Sequence, residues 1–170
     1  MNKMSIKNQL KGIDITKVKM SNGKTLRQNL QSEANRLRNC IQKRLDIYLS
    51  NHKPAMYERS GGLQGSLKVD SFLNVRVVGN GLEIDIFFDD GAIHKSGDGI
   101  YSWEGNGEEV NTAFLLNYGY KVKKDVWFKN IENFGYREGA GFVEDGIADF
   151  NATNILGIKI TKMFNGQIIP

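Results

Sequence analysis

The sequence predicts an α+β fold: a long N-terminal amphipathic helix and a shorter C-terminal helix packed on a small, mostly antiparallel β-sheet with a central hairpin. Three observations lead there. Leu26, Leu30, Ala34, Leu37, Ile41, Leu45 and Tyr48 recur at steps of three or four, which lays one apolar stripe along about seven turns of helix. Two alternating apolar segments flank Gly79-Asn80-Gly81, whose tolerance of positive φ favours a tight hairpin. A second helical pattern, Phe142 to Asn154, precedes a last alternating run of Leu156, Ile158 and Ile160.

Along the chain, residues 1–23 are polar and lysine-rich without a sustained period, and are expected to form a mobile N-terminal arm, with a short strand conceivable at Ile13, Ile15 and Val18. Residues 24–170 then make one α+β domain. Ser21, Asn22 and Gly23 supply chemistry for starting the long helix, and Pro54 disfavours helical geometry in the residue before it. Tyr57 to Leu67 predicts a turn and a single helical turn, capped by Ser60 and anchored by Leu63 and Leu67, four apart. The hairpin strands are signalled by Val69, Leu73, Val75 and Val77 on one side and by Leu82, Ile84, Ile86 and Phe88 on the other.

The stretch at about 89–110 is rich in Gly, Asp and Ser and predicts a long loop, either functional or mobile. Asn111-Thr112 caps a short apolar helix, Ala113 to Tyr118, which ends at Gly119. Lys121 to Gly139 mixes aromatic and charged residues and suits an irregular arm or hairpin. In the Phe142 helix, Phe142, Ala148 or Ile147, and Phe150 should face inward. The closing run, Ile155 to Ile160, is expected to return to the hairpin as a final strand.

Composition narrows the function classes. At 170 residues the chain can bury a core without staples, and its nine Phe and six Tyr argue against disorder. No apolar run approaches the roughly 20 residues of a membrane-spanning helix, and the first ten residues lack the apolar centre of a secretory signal. These features suggest a cytoplasmic or virion-internal protein. Cys40 is the single cysteine, so neither an internal disulfide nor a cysteine-cluster zinc site can form. Charge is uneven: residues 1–53 carry a net +9 and the remainder −5. Such asymmetry suits contact with nucleic acid, front-to-back attraction between copies, or simply a solvated helix face.

Catalytic and metal-binding patterns are weak. His52 lies in a polar helix exit, and His94 stands among Asp89, Asp90 and Asp98 without a metal-binding spacing or the alternating acids of a calcium loop. A hydrolase using His94 with Asp89 and Asp90 is the only enzymatic reading with a named residue set. Cys40 has arginines nearby but no histidine signature that would make it a nucleophile. The glycine-rich stretch at Ser60 to Ser66 has neither the lysine nor the preceding strand of a phosphate-binding loop, and Ser66 has no nucleophile elbow. Glu104, Glu108 and Glu109 read as hydrated loop acids. The expectation is a non-enzyme with no cofactor and no metal.

For nucleic acid, a helix of 100° per residue brings Arg27, Arg38 and Lys24 to a side away from the leucine stripe, where they could contact phosphates without reading bases. No recognition motif accompanies them. A small basic nucleic-acid-binding protein is therefore the alternative reading.

The order of elements carries a resemblance. A basic amphipathic helix precedes Tyr57-x-Arg59-Ser60-Gly61-x-Leu63-x-x-Ser66-Leu67, then come a hairpin, Ala113-Phe114-Leu115-Leu116-Asn117-Tyr118-Gly119, a Phe142-Val143-Glu144-Asp145-Gly146-Ile147-Ala148 helix and a closing strand. Over roughly Lys24 to Thr161 this resembles the tail-completion or neck proteins of tailed bacteriophages, minor tail components of the HK97 gp10-like family. Ser60 stands where that pattern usually has Thr, and Asn117 where an acid is common. The resemblance implies a non-enzymatic virion assembly part, a homo-oligomeric ring at the head–tail junction that can be monomeric in isolation. It implies head-connector and tail-tube proteins as partners, non-specific contact with DNA, and assembly in the bacterial host cytoplasm. Tyr101, Trp103 and the arm from Lys121 to Tyr136, with Trp127, Phe128 and Phe134, are the candidate contacts with neighbours, because aromatics are enriched at interface cores.

Overall fold

The computed structural model describes residues 14, 17–51, 61–79, 81–89, 104–105, 108–109, 112–121, 136–154, 157–164 and 167–169. Its backbone is α+β, with two principal helices and small antiparallel ladders. Helix α1 spans Leu26–Asn51, and α2 is the single turn Gly62–Gly65. Strands β1 (Leu67–Val69), β2 (Arg76–Val78), β3 (Gly81–Glu83) and β4 (Ile86–Phe88) follow, with a 3₁₀ turn at Phe72–Asn74. The pairs β5 (Glu104–Gly105) and β6 (Glu108–Glu109) precede helix α3, Thr112–Tyr118. Strands β7 (Gly119–Lys121) and β8 (Tyr136–Glu138) flank the predicted arm. Helix α4 is Phe142–Asn151, and β9 (Lys162–Phe164) and β10 (Gln167–Ile169) close the chain.

The start of α1 is doubly secured. Thr25 and Gln28 form a reciprocal capping box, with Thr25 N donating to Gln28 Oε1 at 2.8 Å and Gln28 N donating to Thr25 Oγ1 at 3.2 Å. Just upstream, Asn22 Oδ1 accepts from Lys24 N, and its amide donates to Asn29 Oδ1 at 2.8 Å. Lys19 and Thr25 form one bridge, and Leu26 N donates to Val18 O, so the end of the predicted arm folds back on the helix. Ile13 and Ile15 lie outside the described residues.

The predicted stripe is the core-facing side of α1. Ala34, Leu37, Ile41 and Leu45 are buried, and Leu26, Leu30 and Tyr48 are half-buried at its ends. Leu37, Ile41 and Leu45 join Leu67, Phe142 and Phe150 in one core cluster. The Phe142 ring lies 6.1 Å from that of Phe88, edge on, and 6.4 Å from that of Tyr48. The two helices cross where Gly146 meets Ile41, since a Cβ at Gly146 would lie 2.6 Å from Ile41 Cα. Of the alternatives for the α4 face, Ile147 packs on the core and Ala148 is exposed.

The hairpin forms, with β2 and β3 paired as Arg76↔Glu83, Val77↔Leu82 and Val78↔Gly81. Gly79 takes φ +58° at the turn. The long strand expected from Val69 to Val77 is broken, however. Ser71 Oγ accepts from Leu73 N, and Asp70 Oδ1 accepts from Ser71 N and from the Asn74 amide, which wraps Phe72–Asn74 into the 3₁₀ turn. The ribbon is thus split into an inner pair, β1 with β4, and an outer pair, β2 with β3.

Two further expectations are corrected. Leu67 is not on the short helix with Leu63 but begins β1. Gly61, at φ +77°, starts α2, and the proposed cap Ser60 lies outside the described residues. Of the expected strand, Ile155 and Leu156 lie outside the described residues, and residues 157–160 join no ladder among the described residues. Gly157 has φ +63°, and the closing ladder is β9 with β10 instead. Ile158 and Ile160 nevertheless turn toward the core, as the alternation requires.

Candidate assembly surface

The charged side chains of α1 are spent largely within the fold. Arg27 donates to Val75 O at 3.2 Å and lies over the Phe72 ring. Arg38 Nε donates to Leu67 O at 3.0 Å. Arg36 pairs with Glu33, reaches Phe150 O and stacks 3.9 Å above the Phe150 ring. Arg44 grips Asp149 with two bonds of 2.7 Å. That hydrogen bond holds the Asp149 carboxyl below the usual aspartate range. All four arginines of α1 therefore connect the helix to other parts of the chain or to its own turn.

A polar node ties the C-terminal third together. Asn117, only 3% exposed, donates its amide to Glu144 Oε2 at 2.7 Å and accepts from Val143 N at 2.8 Å. Its side chain thereby caps α4, whose preceding residue, Gly141, offers none. Lys162 donates to Glu144 Oε1 at 3.1 Å and so fastens β9 to α4. Burial alone would raise Glu144, but hydrogen bonds from Asn117, Lys162 and Tyr118 outweigh it and hold the carboxyl below its ordinary value. Burial, then the bond to Glu144, pushes the Tyr118 phenol up to about 12. An amide at 117, where the resembled pattern favours an acid, is what lets this position donate to Glu144.

Among the described residues, two apolar surfaces stand open. The first is the outer ribbon. All three residues of β2 are exposed, and Leu73 in the adjacent turn is 81% exposed. Val77 and Val78 are adjacent on a strand and so point to opposite faces, which leaves both faces of the ribbon apolar. Phe72 in the 3₁₀ turn and Phe87 in β4 are exposed as well. Arg76 on the same ribbon is held by Asp85 at 2.8 and 2.9 Å.

The second surface is concave. A groove of about 400 Å³ between α4 and the closing hairpin is lined by five isoleucines (Ile147, Ile158, Ile160, Ile168 and Ile169) together with Asn151, Lys159, Thr161 and Lys162. Ile168 is 72% exposed.

No protein family, curated protein or solved structure matches the chain. Among the described residues, no group of three His, Cys, Asp or Glu is placed to hold a metal ion, and no helix is long and apolar enough to cross a membrane.

Of the candidate neighbour contacts, Tyr101, Trp103, Trp127, Phe128 and Phe134 lie outside the described residues. Lys121 and Tyr136 are register partners in β7 and β8, and the rest of the expected arm, residues 122–135, lies outside the described residues. The three suggested phosphate contacts do not share one open face. Lys24 is exposed, whereas Arg27 and Arg38 turn to backbone carbonyls. His52, His94 and Asp90 lie outside the described residues, and Asp89 is ion-paired with Lys68. Cys40 is half-buried against the core. The hairpin and groove surfaces went unnoticed in the sequence, although Val77-Val78 and Ile168-Ile169 signal them: adjacent apolar residues on a strand need cover on both faces.

Proposed function

We propose that the chain is a structural virion assembly protein of a phage or prophage, forming a homo-oligomeric ring at the head–tail junction as a tail-completion or neck component. The observation that carries this is the outer ribbon, a two-stranded ladder with exposed apolar side chains on both faces. A ribbon of this kind is marginal alone and gains stability when another surface covers it. The ring and its place in the particle are what the element order's resemblance to the neck proteins suggests. Its partners are further copies, the head connector and the tail tube, and its role requires no catalysis.

The alternative, a small basic nucleic-acid-binding protein, is less well supported, because Arg27 and Arg38 already serve backbone carbonyls. Quantitative mass spectrometry of purified particles, against the major capsid protein, tests the virion reading. A low, fixed copy number of about one ring per particle is expected. Absence from intact particles refutes it.

A further inference from the structure

We infer that the seam between α1 and the 3₁₀ turn is a built site for one ordered water molecule, shared by Arg27 and Gln31. The two residues are four apart on α1 and so are neighbours on the same face. Both reach into a single adjoining segment. Gln31 Nε2 donates to Asp70 O at 3.3 Å, and Arg27 Nη2 donates to Val75 O at 3.2 Å. Between those two carbonyls the chain makes its 3₁₀ turn, and the centre of the Phe72 ring lies 5.4 Å from the Arg27 guanidinium carbon. The inner parts of both side chains are shut off from solvent. Arg27 Nε and Gln31 Oε1 each expose less than 1 Å² and find no hydrogen-bond partner in the protein.

Buried groups left in this condition are rare, because each has lost its hydration without a replacement. Here they are of opposite type. Arg27 Nε carries a proton to donate, and Gln31 Oε1 only accepts. A water molecule receives the first on a lone pair and gives a proton to the second, so one molecule satisfies both. An anion would suit Arg27 but be repelled by the amide oxygen. A metal cation would suit the oxygen but be repelled by the guanidinium. Solvent is thereby part of the joint that fixes the start of the outer ribbon to α1. The site is internal and stands apart from any assembly role.

Paired NOESY and ROESY spectra of the full chain test the site. The Arg27 Nε–H proton should show a dipolar cross-peak to water, of opposite sign in the two spectra, as a long-lived bound water gives. Gln31→Leu removes the acceptor while keeping most of the bulk, and should abolish that cross-peak with the Arg27 resonance still dispersed. A crystal structure of the unmutated chain should hold a water within about 3.2 Å of both Arg27 Nε and Gln31 Oε1, and it decides the question even if Gln31→Leu fails to fold. A dry seam, or Arg27 Nε bonded directly to a protein oxygen, overturns the proposal. So does a cross-peak that persists unchanged in Gln31→Leu, since the water would then not be shared.

Discussion

Gly146 of α4 lies directly against Ile41 of α1, close enough that a Cβ would sit 2.7 Å from Ile41 Cγ1 and 2.8 Å from its backbone nitrogen. The obstruction includes backbone, so a side-chain rotamer change alone cannot relieve it.

Gly146→Ala should therefore force the two helices apart and destabilise the chain despite alanine's better helix propensity. Overpacking of this kind costs about 1–3 kcal/mol, and the propensity gain returns about 1 kcal/mol at most. Thermal unfolding should show a fall of several degrees. An unchanged or raised midpoint would mean that the helices do not approach this closely.

Asn117→Asp places a second carboxylate beside Glu144 at the position of the amide that now donates to it. Asn117→Ala should cost about 1–3 kcal/mol by leaving partners unsatisfied. The aspartate variant should be worse than alanine at neutral pH and recover as pH falls toward about 5, when one proton is shared between the two acids. Tm measured at the two pH values checks the crossover.

The stability profile in acid follows from Asp149 and Glu144, both held below their ordinary values of 3.8 and 4.5. For a depressed carboxyl the stabilisation is complete above the unfolded value and disappears as pH falls through the folded one. Melting temperature should hold above about pH 5 and decline below about 4. Asp149→Asn should start lower and lose less over that interval.

At the alkaline end Tyr118 has the opposite sign. Its phenol is raised from 10.0 to about 12, so stability is full below pH 10 and is lost as pH rises through 12. Tyr118→Phe should flatten this limb in a pH series of unfolding midpoints, while the acid limb is retained in part through Asp149.

Arg38→Lys keeps the charge but not the guanidinium geometry that reaches Leu67 O. It should lower stability by about 1 kcal/mol. It should leave any DNA affinity unchanged within about twofold, since the guanidinium is engaged with Leu67 O and not with a phosphate. A steep loss of DNA binding with unchanged Tm would restore Arg38 to the phosphate role.

Legibility differed by kind of interaction. The α1 stripe was visible because burial imposes a 3.6-residue period that survives without knowing the partner. The hairpin turn was visible because Gly79-Asn80-Gly81 is local chemistry. The break at Phe72–Asn74 was not, since Asp70 and Ser71 had to outcompete the ladder for backbone donors, and alternation does not report that contest. Ile158 and Ile160 showed the right faces but not the absence of a pairing strand. The fate of Arg27 and Arg38 was hidden for another reason: a helical wheel gives direction and not reach, and their long side chains bend to carbonyls on neighbouring segments. The closing hairpin β9–β10 was missed altogether. Its residues are too few, and too mixed in polarity, to register as two strands.

The described ladders are five separate pairs, none sharing a strand with another. Each can consequently unzip on its own schedule, with few hydrogen bonds to lose, while the α1–α4 crossing remains intact. Amide exchange should then be graded, slow along Leu37 to Leu45 and rapid in the outer ribbon and closing hairpin. The parts with the least protection are the same ones that offer exposed apolar surface, so any partner that covered them would remove both exposures in one step and tie separate ladders into one cooperative unit.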